Sequence, residues 1–134
     1  MLHMTCKGKI HRARVTEANL DYVGSISIDE QLMEAASIRP FEMVQINGLR
    51  SAQTWQTYTI PAPYGSGEIC VNGPPAHLFR VGDLVIILSV GFFTESDLER
   101  FQHRTVLVDE QNHLVDVKTY TRQSAHHIRG GEGK

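Results

Sequence analysis

Short stretches in which polar and apolar residues alternate run through most of the chain. Residues 5–16 alternate in this way, with Cys6 and Ile10 on one face and Lys7 and Lys9 on the other, which indicates an extended strand better than a helix. Charge on both faces is typical of a strand near a barrel rim or a subunit contact. Comparable stretches, bounded by prolines, glycines and the turn signal Asn47-Gly48, predict further strands at 22–28, 41–46, 54–60, 68–71, 81–90, 105–108 and 114–118.

Two short helices interrupt this pattern. Asp29 stands at an N-cap position ahead of residues 30–36, and that helix must end before Pro40. Thr94 stands in the same relation to a second helix at 95–102. Many short strands, few helices and turn signals at nearly regular spacing predict a mainly β fold, closed into a barrel.

The C-terminal segment has a different character. Residues 124–134 contain two adjacent histidines, three glycines and mixed charge without a periodic apolar face. We therefore predict one domain over residues 1–120 and a disordered tail over 121–134. An untethered pair such as His126 and His127 has no fixed coordination geometry, so we predict no metal site there.

The overall composition narrows the classes of function. The 134 residues suffice for one compact core, and a net charge of −2 gives no excess positive charge for binding nucleic acid. The longest apolar stretch is too short to span a bilayer and no leader-like segment opens the chain, so we expect a cytosolic protein. Cys6 and Cys70 lack the paired spacing of a zinc or redox site, and we expect two reduced, half-buried thiols.

The dipeptide Gly24-Ser25 offers the most specific chemistry, although a Gly-Ser pair alone is an ordinary turn. If a strained backbone at Gly24 presents its carbonyl group, the Ser25 hydroxyl can attack that group and convert the amide to an ester. Elimination across the Cα–Cβ bond of Ser25 then releases residues 1–24. Hydrolysis of the resulting enamine leaves a pyruvoyl ketone, a pyruvic acid residue, at the start of residues 25–134.

The residues around this dipeptide carry a resemblance to a family. The chain resembles the pyruvoyl-dependent aspartate 1-decarboxylases over nearly all of residues 5–90 without a gap, and matches them poorly from about residue 100 onward. The matching stretches occur in order and in register. They are Gly8-Lys9-Ile10-His11-Arg12, Val15-Thr16, Tyr22-x-Gly24-Ser25, Ile28-Asp29, Ala35-Ala36-x-Ile38, Thr57-Tyr58-x-Ile60, Gly65-Ser66, Val71-Asn72-Gly73, Ala76-His77 and Val81-Gly82-Asp83-x-Val85-Ile86-Ile87.

This resemblance implies a double-psi β-barrel and a homotetramer whose active sites lie between neighbouring subunits. It also implies cleavage between Gly24 and Ser25, and decarboxylation of L-aspartate to β-alanine for pantothenate biosynthesis, with a covalent pyruvoyl group and no metal. The chemistry is reasonable, because a ketone forms a Schiff base with an α-amino group and its adjacent amide carbonyl accepts the electrons released as CO₂ departs. Whether cleavage is spontaneous or needs a maturation factor stays open.

The resemblance also assigns roles to individual residues. Lys9 matches the cation that holds a substrate carboxylate, and Tyr58 matches the group that returns a proton to the carbanion. Thr57 matches the residue whose hydroxyl stabilises the oxyanion during cleavage and borders the substrate, and Asn72 matches a substrate-contacting amide. Further matches border the substrate pocket or the cleavage loop: Gly73, Pro74, Pro75, Ala76, His11 and Tyr22.

Two departures from the family pattern concern the substrate. Thr54 stands where the family usually has an arginine that clamps a carboxylate, a pair worth roughly 1.5–3 kcal/mol. Arg50 could substitute for this arginine only if the strand register shifted by four residues. Pro74-Pro75 replaces small residues and stiffens the loop over the site.

Two alternatives follow. One keeps the fold and mechanism but changes the substrate to a modified aspartate, such as 3-methylaspartate, or to another amino acid. The other is a non-catalytic double-psi barrel that serves as a binding or assembly module, in which Gly24-Ser25 is a plain turn and the chain stays intact. A metal hydrolase using His3, His11 or His77 is not favoured, because these residues lack ligand-like spacing.

Overall fold

The computed structural model describes residues 1–129 of the 134 in the chain. Within that range strands predominate and the helices are short, so the predicted mainly β fold is confirmed. The strands are β1 (His3–Arg14), β2 (Glu17–Asn19), β3 (Ser25–Asp29), β4 (Met43–Gly48), β5 (Thr54–Ala62), β6 (Ile69–Asn72), β7 (Leu84–Phe93), β8 (His103–Val108) and β9 (Leu114–Tyr120). The α-helices are α1 (Glu30–Ala35) and α2 (Glu95–Leu98), and two 3-10 helices cover Pro74–His77 and Ala125–Ile128.

The strands form one sheet in the order β2-β6-β3-β5-β4-β7-β1-β8-β9. β1 runs parallel to β8, β2 to β6 and β3 to β5, whereas the other neighbours are antiparallel. Only Val15 and Thr16 separate β1 from β2, and their backbone is hydrogen-bonded to Gly82, Asp83 and Ile69. β1 and β2 are consecutive parts of one bent stretch at opposite positions in this strand order, an arrangement consistent with the predicted double-psi β-barrel, and β8 and β9 extend the sheet beyond β1.

One face of each strand supplies the core of the barrel. In β3 and β6 the core residues Ile26, Ile28, Ile69 and Val71 are fully buried, so the residues between them point to the other face. Each aliphatic side chain of this size stabilises the fold by about 1.5–3 kcal/mol when buried, which fixes the orientation of both strands. Other strands and α1 complete the same cluster with Ile10, Leu32, Met33, Val44, Ile46, Val85, Ile87 and Val106.

Asp29 ends β3 and caps α1, as the sequence predicts. Its buried carboxylate accepts hydrogen bonds from the backbone N–H groups of Gln31 at 2.8 Å, Gly65 at 2.8 Å and Gly67 at 2.9 Å. A carboxylate that satisfies three backbone donors holds the segments that carry them together. The end of β3 is therefore tied both to α1 and to the loop after β5.

The turn between β4 and β5 lies later than the sequence indicates. Asn47 pairs with Thr54 and Gly48 continues β4, so the turn is formed by residues 49–53, with Ala52 at a positive φ of 56°. Gly48 is needed for packing instead, because a Cβ there would lie 3.1 Å from the ring of Phe79. The prediction of a turn at Asn47-Gly48 was therefore wrong.

Several element ends also differ from the prediction: β7, for example, is shifted three residues along, from the predicted 81–90 to Leu84–Phe93. β5 continues past Pro61, which stays in register with β3 although it has no N–H donor. α2 has the predicted cap, Thr94, in a reciprocal capping box with Asp97, but it ends at Leu98 instead of at residue 102. None of the helices within residues 1–129 has the length and apolar character that crossing a membrane requires.

The predicted tail, residues 121–134, is described only as far as residue 129. Thr121 and Ser124 are hydrogen-bonded to each other, and the short 3-10 helix Ala125–Ile128 follows. Residues 130–134 lie outside the described residues. Disorder of the tail therefore stays a prediction, as does the domain boundary at residue 120.

Candidate active site

Ser25 opens β3 directly after Gly24, on the face opposite to the core. It is only 1% exposed. Asn72, its partner in the antiparallel strand β6, donates a hydrogen bond from Nδ2 to Ser25 Oγ at 2.9 Å. The nucleophile required for the predicted cleavage is therefore buried and held beside the predicted scissile bond.

The polar residues on this face form one hydrogen-bonded group, which we call the cleavage face: Ser25, Ser27, Cys70 and Asn72. Asn72 Nδ2 also donates to Ser27 Oγ at 3.2 Å, and Cys70 Sγ donates to Asn72 Oδ1 at 3.1 Å. Ser27 and Cys70 were not among the predicted site residues. Their only signal in the sequence is their spacing, two residues from Ser25 and Asn72, which in a strand means the same face.

The backbone conformation and close packing that require glycine occur at Gly73 and not at Gly24. Gly73 has a φ of 82°, and a Cβ there would lie 2.8 Å from Gly24 Cα and 3.2 Å from the carbonyl oxygen of Tyr22. Gly24 itself lies outside the left-handed region, and a Cβ there would have Asn72 O at 4.0 Å as its nearest neighbour. The close approach and the positive φ are therefore those of Gly73, and the backbone of Gly24 is not in a conformation that only glycine adopts.

β5 runs beside β3 and brings Thr57 and Tyr58 close to this face. The parallel β3–β5 register, continued backward, sets Tyr58 level with Ser25 and Thr57 level with Gly24. Thr57 is 7% exposed and faces the core side. Tyr58 lies on the outer side with Ser25 and stacks on Phe41 with ring centroids 6.2 Å apart.

Lys9 belongs to a different part of the barrel. It lies in β1 beside His103 and Thr105 of β8, and Cys6 joins this group because a β-bulge lies between Cys6 and Gly8. The prediction that Cys6 and Lys9 lie on opposite faces was therefore wrong, and we call the group the Lys9 face: Cys6, Lys9, His103 and Thr105. β5, β4 and β7 lie between β3 and β1 in the sheet. Within residues 1–129, the ammonium group of Lys9 makes no hydrogen bond or ion pair, and no side-chain hydrogen bond or ion pair joins the two faces. In the part of the chain that the structure describes, no hydrogen bond or ion pair therefore joins Lys9 to Ser25.

His103 is a notable neighbour of Lys9 that the sequence analysis missed. Its Nδ1 lies 3.0 Å from the carbonyl oxygen of Cys6 and its Nε2 lies 2.9 Å from Thr105 Oγ1. Hydrogen bonding to Cys6 raises the pKa of His103, against the effect of burial. Burial acts to raise the pKa of Cys6, but the hydrogen bond and charge of His103, together with Lys9, lower it. Lys9 and His103 therefore both favour the thiolate form of Cys6 on this face.

The other predicted residues are divided between the two regions. Pro74, Pro75 and Ala76 lie in the 3-10 helix directly after Gly73, so they border the cleavage face. Tyr22 is 56% exposed in the loop before β3. His11 follows Lys9 along the β1–β8 ladder, so it borders the Lys9 face.

The position of the missing family arginine carries no positive charge. Thr54 is exposed at the start of β5, and its Oγ1 lies 3.2 Å from Asn47 Oδ1. Arg50 lies in the β4–β5 turn and donates two hydrogen bonds of 2.9 Å to the Asp83 carboxylate, which lowers the pKa of Asp83. Asn47 pairs with Thr54, so Arg50 lies in the turn before β5 and not on the strand. Arg50 therefore does not replace the arginine in this chain.

The surroundings of Ser25 fit a carbonyl group made from Ser25 itself. The Ser25 hydroxyl is buried and accepts a hydrogen bond from Asn72 Nδ2 at 2.9 Å, so an amide donor lies beside the residue from which the carbonyl group would be made. Because Gly73 has no Cβ, the Gly24 backbone can lie directly against it. Among residues 1–129, no group of three or more His, Cys, Asp or Glu side chains is arranged to hold a metal ion.

Comparison with known proteins gives a consistent result. A model of the aspartate decarboxylase family matches residues 1–115. The chain is 50% identical over 112 residues to an aspartate 1-decarboxylase of Carboxydothermus hydrogenoformans, which covers 84% of this chain and 88% of that protein. It is 46% identical over 125 residues to an aspartate 1-decarboxylase of Listeria welshimeri, which covers 90% of this chain and 98% of that protein. The chain therefore belongs to the aspartate decarboxylase family.

Proposed function

We propose that this protein is a carboxy-lyase that converts L-aspartate to β-alanine and CO₂ for pantothenate biosynthesis, using a pyruvoyl group that it makes from Ser25. The observation that carries this proposal is the buried Ser25 hydroxyl beside Gly24, held by Asn72 Nδ2 at 2.9 Å. Membership of the aspartate decarboxylase family supports it. We propose the cytoplasm as the site of action.

Maturation begins with an attack by Ser25 Oγ on the carbonyl carbon of Gly24. The new C–O bond replaces the Gly24–Ser25 C–N bond, and the hydroxyl proton passes to the Ser25 nitrogen. The Thr57 hydroxyl, which is level with Gly24 and makes no hydrogen bond within residues 1–129, is available to stabilise the oxyanion of this step. Elimination then removes the Cα proton and breaks the Cβ–O bond of Ser25, so residues 1–24 leave as a carboxylate and an enamine remains. One water molecule hydrolyses the imine tautomer of this enamine to the ketone and ammonia.

The mature site needs a cation, a proton donor and an amide around residue 25. The pyruvoyl ketone supplies an electrophile for the substrate amino group and a sink for the electrons released with CO₂. Lys9 holds a substrate carboxylate, for which an ammonium group with no other partner in the described chain is suited. Tyr58, on the same side as Ser25, holds the proton that replaces CO₂. Asn72, Gly73 and the loop of Pro74, Pro75 and Ala76 border the substrate, and His11 and Tyr22 support the two regions.

A homotetramer with shared sites accounts for the separation of the two faces. Lys9 and Ser25 lie on separate strands, with β5, β4 and β7 between β1 and β3. The exposed Tyr22 and Val23 beside the cleavage loop are available for contact with a neighbouring subunit. We therefore propose that the Lys9 face of one subunit meets the cleavage face of the next.

Mass spectrometry under denaturing conditions tests the proposal directly. We expect two chains, residues 1–24 and residues 25–134, with the larger beginning in a pyruvoyl group that borohydride or hydrazine traps. β-Alanine and CO₂ should form from L-aspartate in proportion to the trapped fraction. A chain that stays intact after full incubation and resists both reagents would instead support the non-catalytic barrel.

A second candidate is the same reaction on a modified aspartate, such as 3-methylaspartate. The observation that favours it is the neutral contact between Thr54 and Asn47 where a carboxylate-clamping arginine is usual in the family. A matched assay of L-aspartate, 3-methylaspartate and L-glutamate decides between the two candidates. A higher kcat/KM for L-aspartate supports the first, and a higher value for 3-methylaspartate supports the second.

A further inference from the structure

We propose that Cys70 is a positioning residue for self-cleavage, because its thiol fixes the Asn72 side-chain amide in the orientation that directs an N–H group at Ser25 Oγ. This inference rests on the self-cleavage proposed above and adds a residue to it. Cys70 does not touch the scissile bond. It acts only through Asn72, its neighbour two residues along β6.

The two ends of an Asn side chain are not equivalent. Nδ2 can only donate hydrogen bonds and Oδ1 can only accept them. Cys70 Sγ lies 3.1 Å from Asn72 Oδ1, while Nδ2 lies 2.9 Å from Ser25 Oγ and 3.2 Å from Ser27 Oγ. Both N–H groups and the carbonyl oxygen are therefore satisfied in this orientation, and a reversed amide would lose the thiol donor.

The protonation state of Cys70 agrees with a donor role. Burial, with the nearby carboxylates of Glu17 and Glu68, raises the pKa of Cys70 to about 11. At neutral pH the sulfur consequently keeps its hydrogen. Cys70 is 2% exposed, so water does not readily replace the thiol as a donor to Asn72 Oδ1.

The orientation of the amide decides what happens to the Ser25 proton. With Nδ2 donating, the Ser25 hydroxyl hydrogen is not held by Asn72 and can leave as the C–O bond to Gly24 forms. With a reversed amide, Oδ1 would accept that hydrogen and hold the hydroxyl away from its leaving path. The carbonyl oxygen of Val23, at 3.4 Å, is the weak contact that the Ser25 hydroxyl makes in the observed orientation.

Two matched pairs of variants test this role. Cys70→Ser and Cys70→Ala have similar volumes, but only the first keeps a donor. Cys70→Thr and Cys70→Val form a second pair with β-branched side chains suited to a strand. Each protein is prepared as the uncleaved precursor, and the fraction cleaved is followed by intact mass at fixed times. Circular dichroism and thermal unfolding show which variants are folded.

We expect the donor-bearing member of each pair to cleave about tenfold faster than its partner, because only a donor at position 70 favours the Asn72 orientation that points Nδ2 at Ser25 Oγ. The variants are compared at equal folded fraction and the members of a pair differ mainly in the donor, so an effect of volume alone would not reproduce the result. Equal cleavage rates within both folded pairs would overturn the proposal. An uncleaved wild-type chain would overturn the proposed function instead, so the two failures are distinguishable.

Discussion

The cleavage face and the Lys9 face differ in how their polar groups are engaged. On the cleavage face, Asn72 uses both N–H groups and its carbonyl oxygen on three neighbours in the same chain. On the Lys9 face, the ammonium group of Lys9 has no hydrogen-bond partner within residues 1–129. The hydrogen-bonded groups of the cleavage face are already arranged for a reaction within the chain. The Lys9 ammonium group, which has no partner there, is instead available to bind a substrate carboxylate.

This difference separates the two steps of the proposed function. Cleavage involves groups on β3, β5 and β6, which are neighbours in the sheet of one chain. Turnover also involves Lys9 on β1, which the described chain leaves apart from Ser25. We therefore expect changes on the cleavage face to alter maturation first, and changes on the Lys9 face to alter catalysis after normal maturation.

The largest effect is expected from Ser25→Ala. The variant has no hydroxyl to attack Gly24, so the chain should remain intact and fold normally, with turnover at background level. Intact mass and a β-alanine assay measure both outcomes. Ser27→Ala is the matched control, because it removes a hydroxyl from the same face without removing the nucleophile, and this variant should still cleave. Normal turnover by Ser25→Ala would show that Ser25 is not the source of the catalytic ketone.

Gly73→Ala should come next, because the cleavage face depends on the close approach of Gly73 to Gly24. Alanine at a φ of 82° costs about 1–3 kcal/mol of stability, and its Cβ would lie 2.8 Å from Gly24 Cα. We expect both lower thermal stability and much slower cleavage.

Gly82→Ala provides the control for this prediction. Gly82 has a similar φ of 91°, but a Cβ there meets nothing within 4 Å. It should therefore lose comparable stability through backbone strain and cleave at the wild-type rate. If both variants cleave equally slowly, the defect comes from general destabilisation and not from contact with Gly24.

Lys9→Ala should spare maturation and reduce catalysis. Loss of a charge-assisted contact with a substrate carboxylate should lower kcat/KM by roughly 10- to 150-fold. Thermal stability should hardly change, since Lys9 has no hydrogen-bond partner in the described chain. Steady-state kinetics on fully cleaved enzyme measure the effect.

Lys7 is the matched control in the same strand. Its half-buried ammonium group contacts the Ser37 carbonyl oxygen and lies 2.6 Å from Ser89 Oγ and 3.1 Å from Glu42 Oε2. Lys7→Ala should therefore lower the free energy of unfolding by about 1–3 kcal/mol while leaving kcat/KM nearly unchanged. The reverse pattern, with Lys7 affecting kinetics and Lys9 affecting stability, would remove Lys9 from the proposed site.

The sequence predicts the strands and the cleavage dipeptide better than the contacts around them. Ser25 and Ser27 alternate with core isoleucines, and Asp29 caps the helix that follows it directly. Both features involve only residues close together in the chain, so both can be predicted from the sequence. Gly48 could not be placed correctly because its role depends on the ring of Phe79, 31 positions later in the chain. Local turn preference was overridden there by packing.

The neighbours of Lys9 likewise could not be predicted, because they come from a distant part of the chain. His103 reaches Cys6 only because β1 and β8 pair in parallel across a sequence separation of 97 residues. The spacing of residues within one segment does not indicate which distant strand will pair with it. Cys70, by contrast, lies two residues from Asn72 in a predicted strand, and its position on the same face was available from periodicity alone.

The smallest expected effect is a difference in alkylation rate between Cys6 on the Lys9 face and Cys70 on the cleavage face. Cys6 is half-buried, with a pKa lowered by His103 and Lys9 against the effect of burial, whereas Cys70 is buried with a pKa raised to about 11. A lower pKa means more thiolate at a given pH, and the thiolate is the species that is alkylated. Near neutral pH, Cys6 should therefore react with iodoacetamide while Cys70 stays unmodified, and His103→Gln should slow the reaction of Cys6.

Iodoacetate extends this test to the charge of the Lys9 face, because it carries the carboxylate that the face is proposed to attract. We compare the ratio of the iodoacetate rate to the iodoacetamide rate for Cys6 with the same ratio for a free thiol. The ratio for Cys6 should be higher by at most about fivefold, because partly exposed charge pairs are worth about 0.2–1 kcal/mol. Lys9→Ala should remove this preference, and added salt should weaken it. Peptide mass mapping at short reaction times gives both rates. Equal relative rates in the wild-type protein and Lys9→Ala would mean that Lys9 does not attract carboxylates at this face.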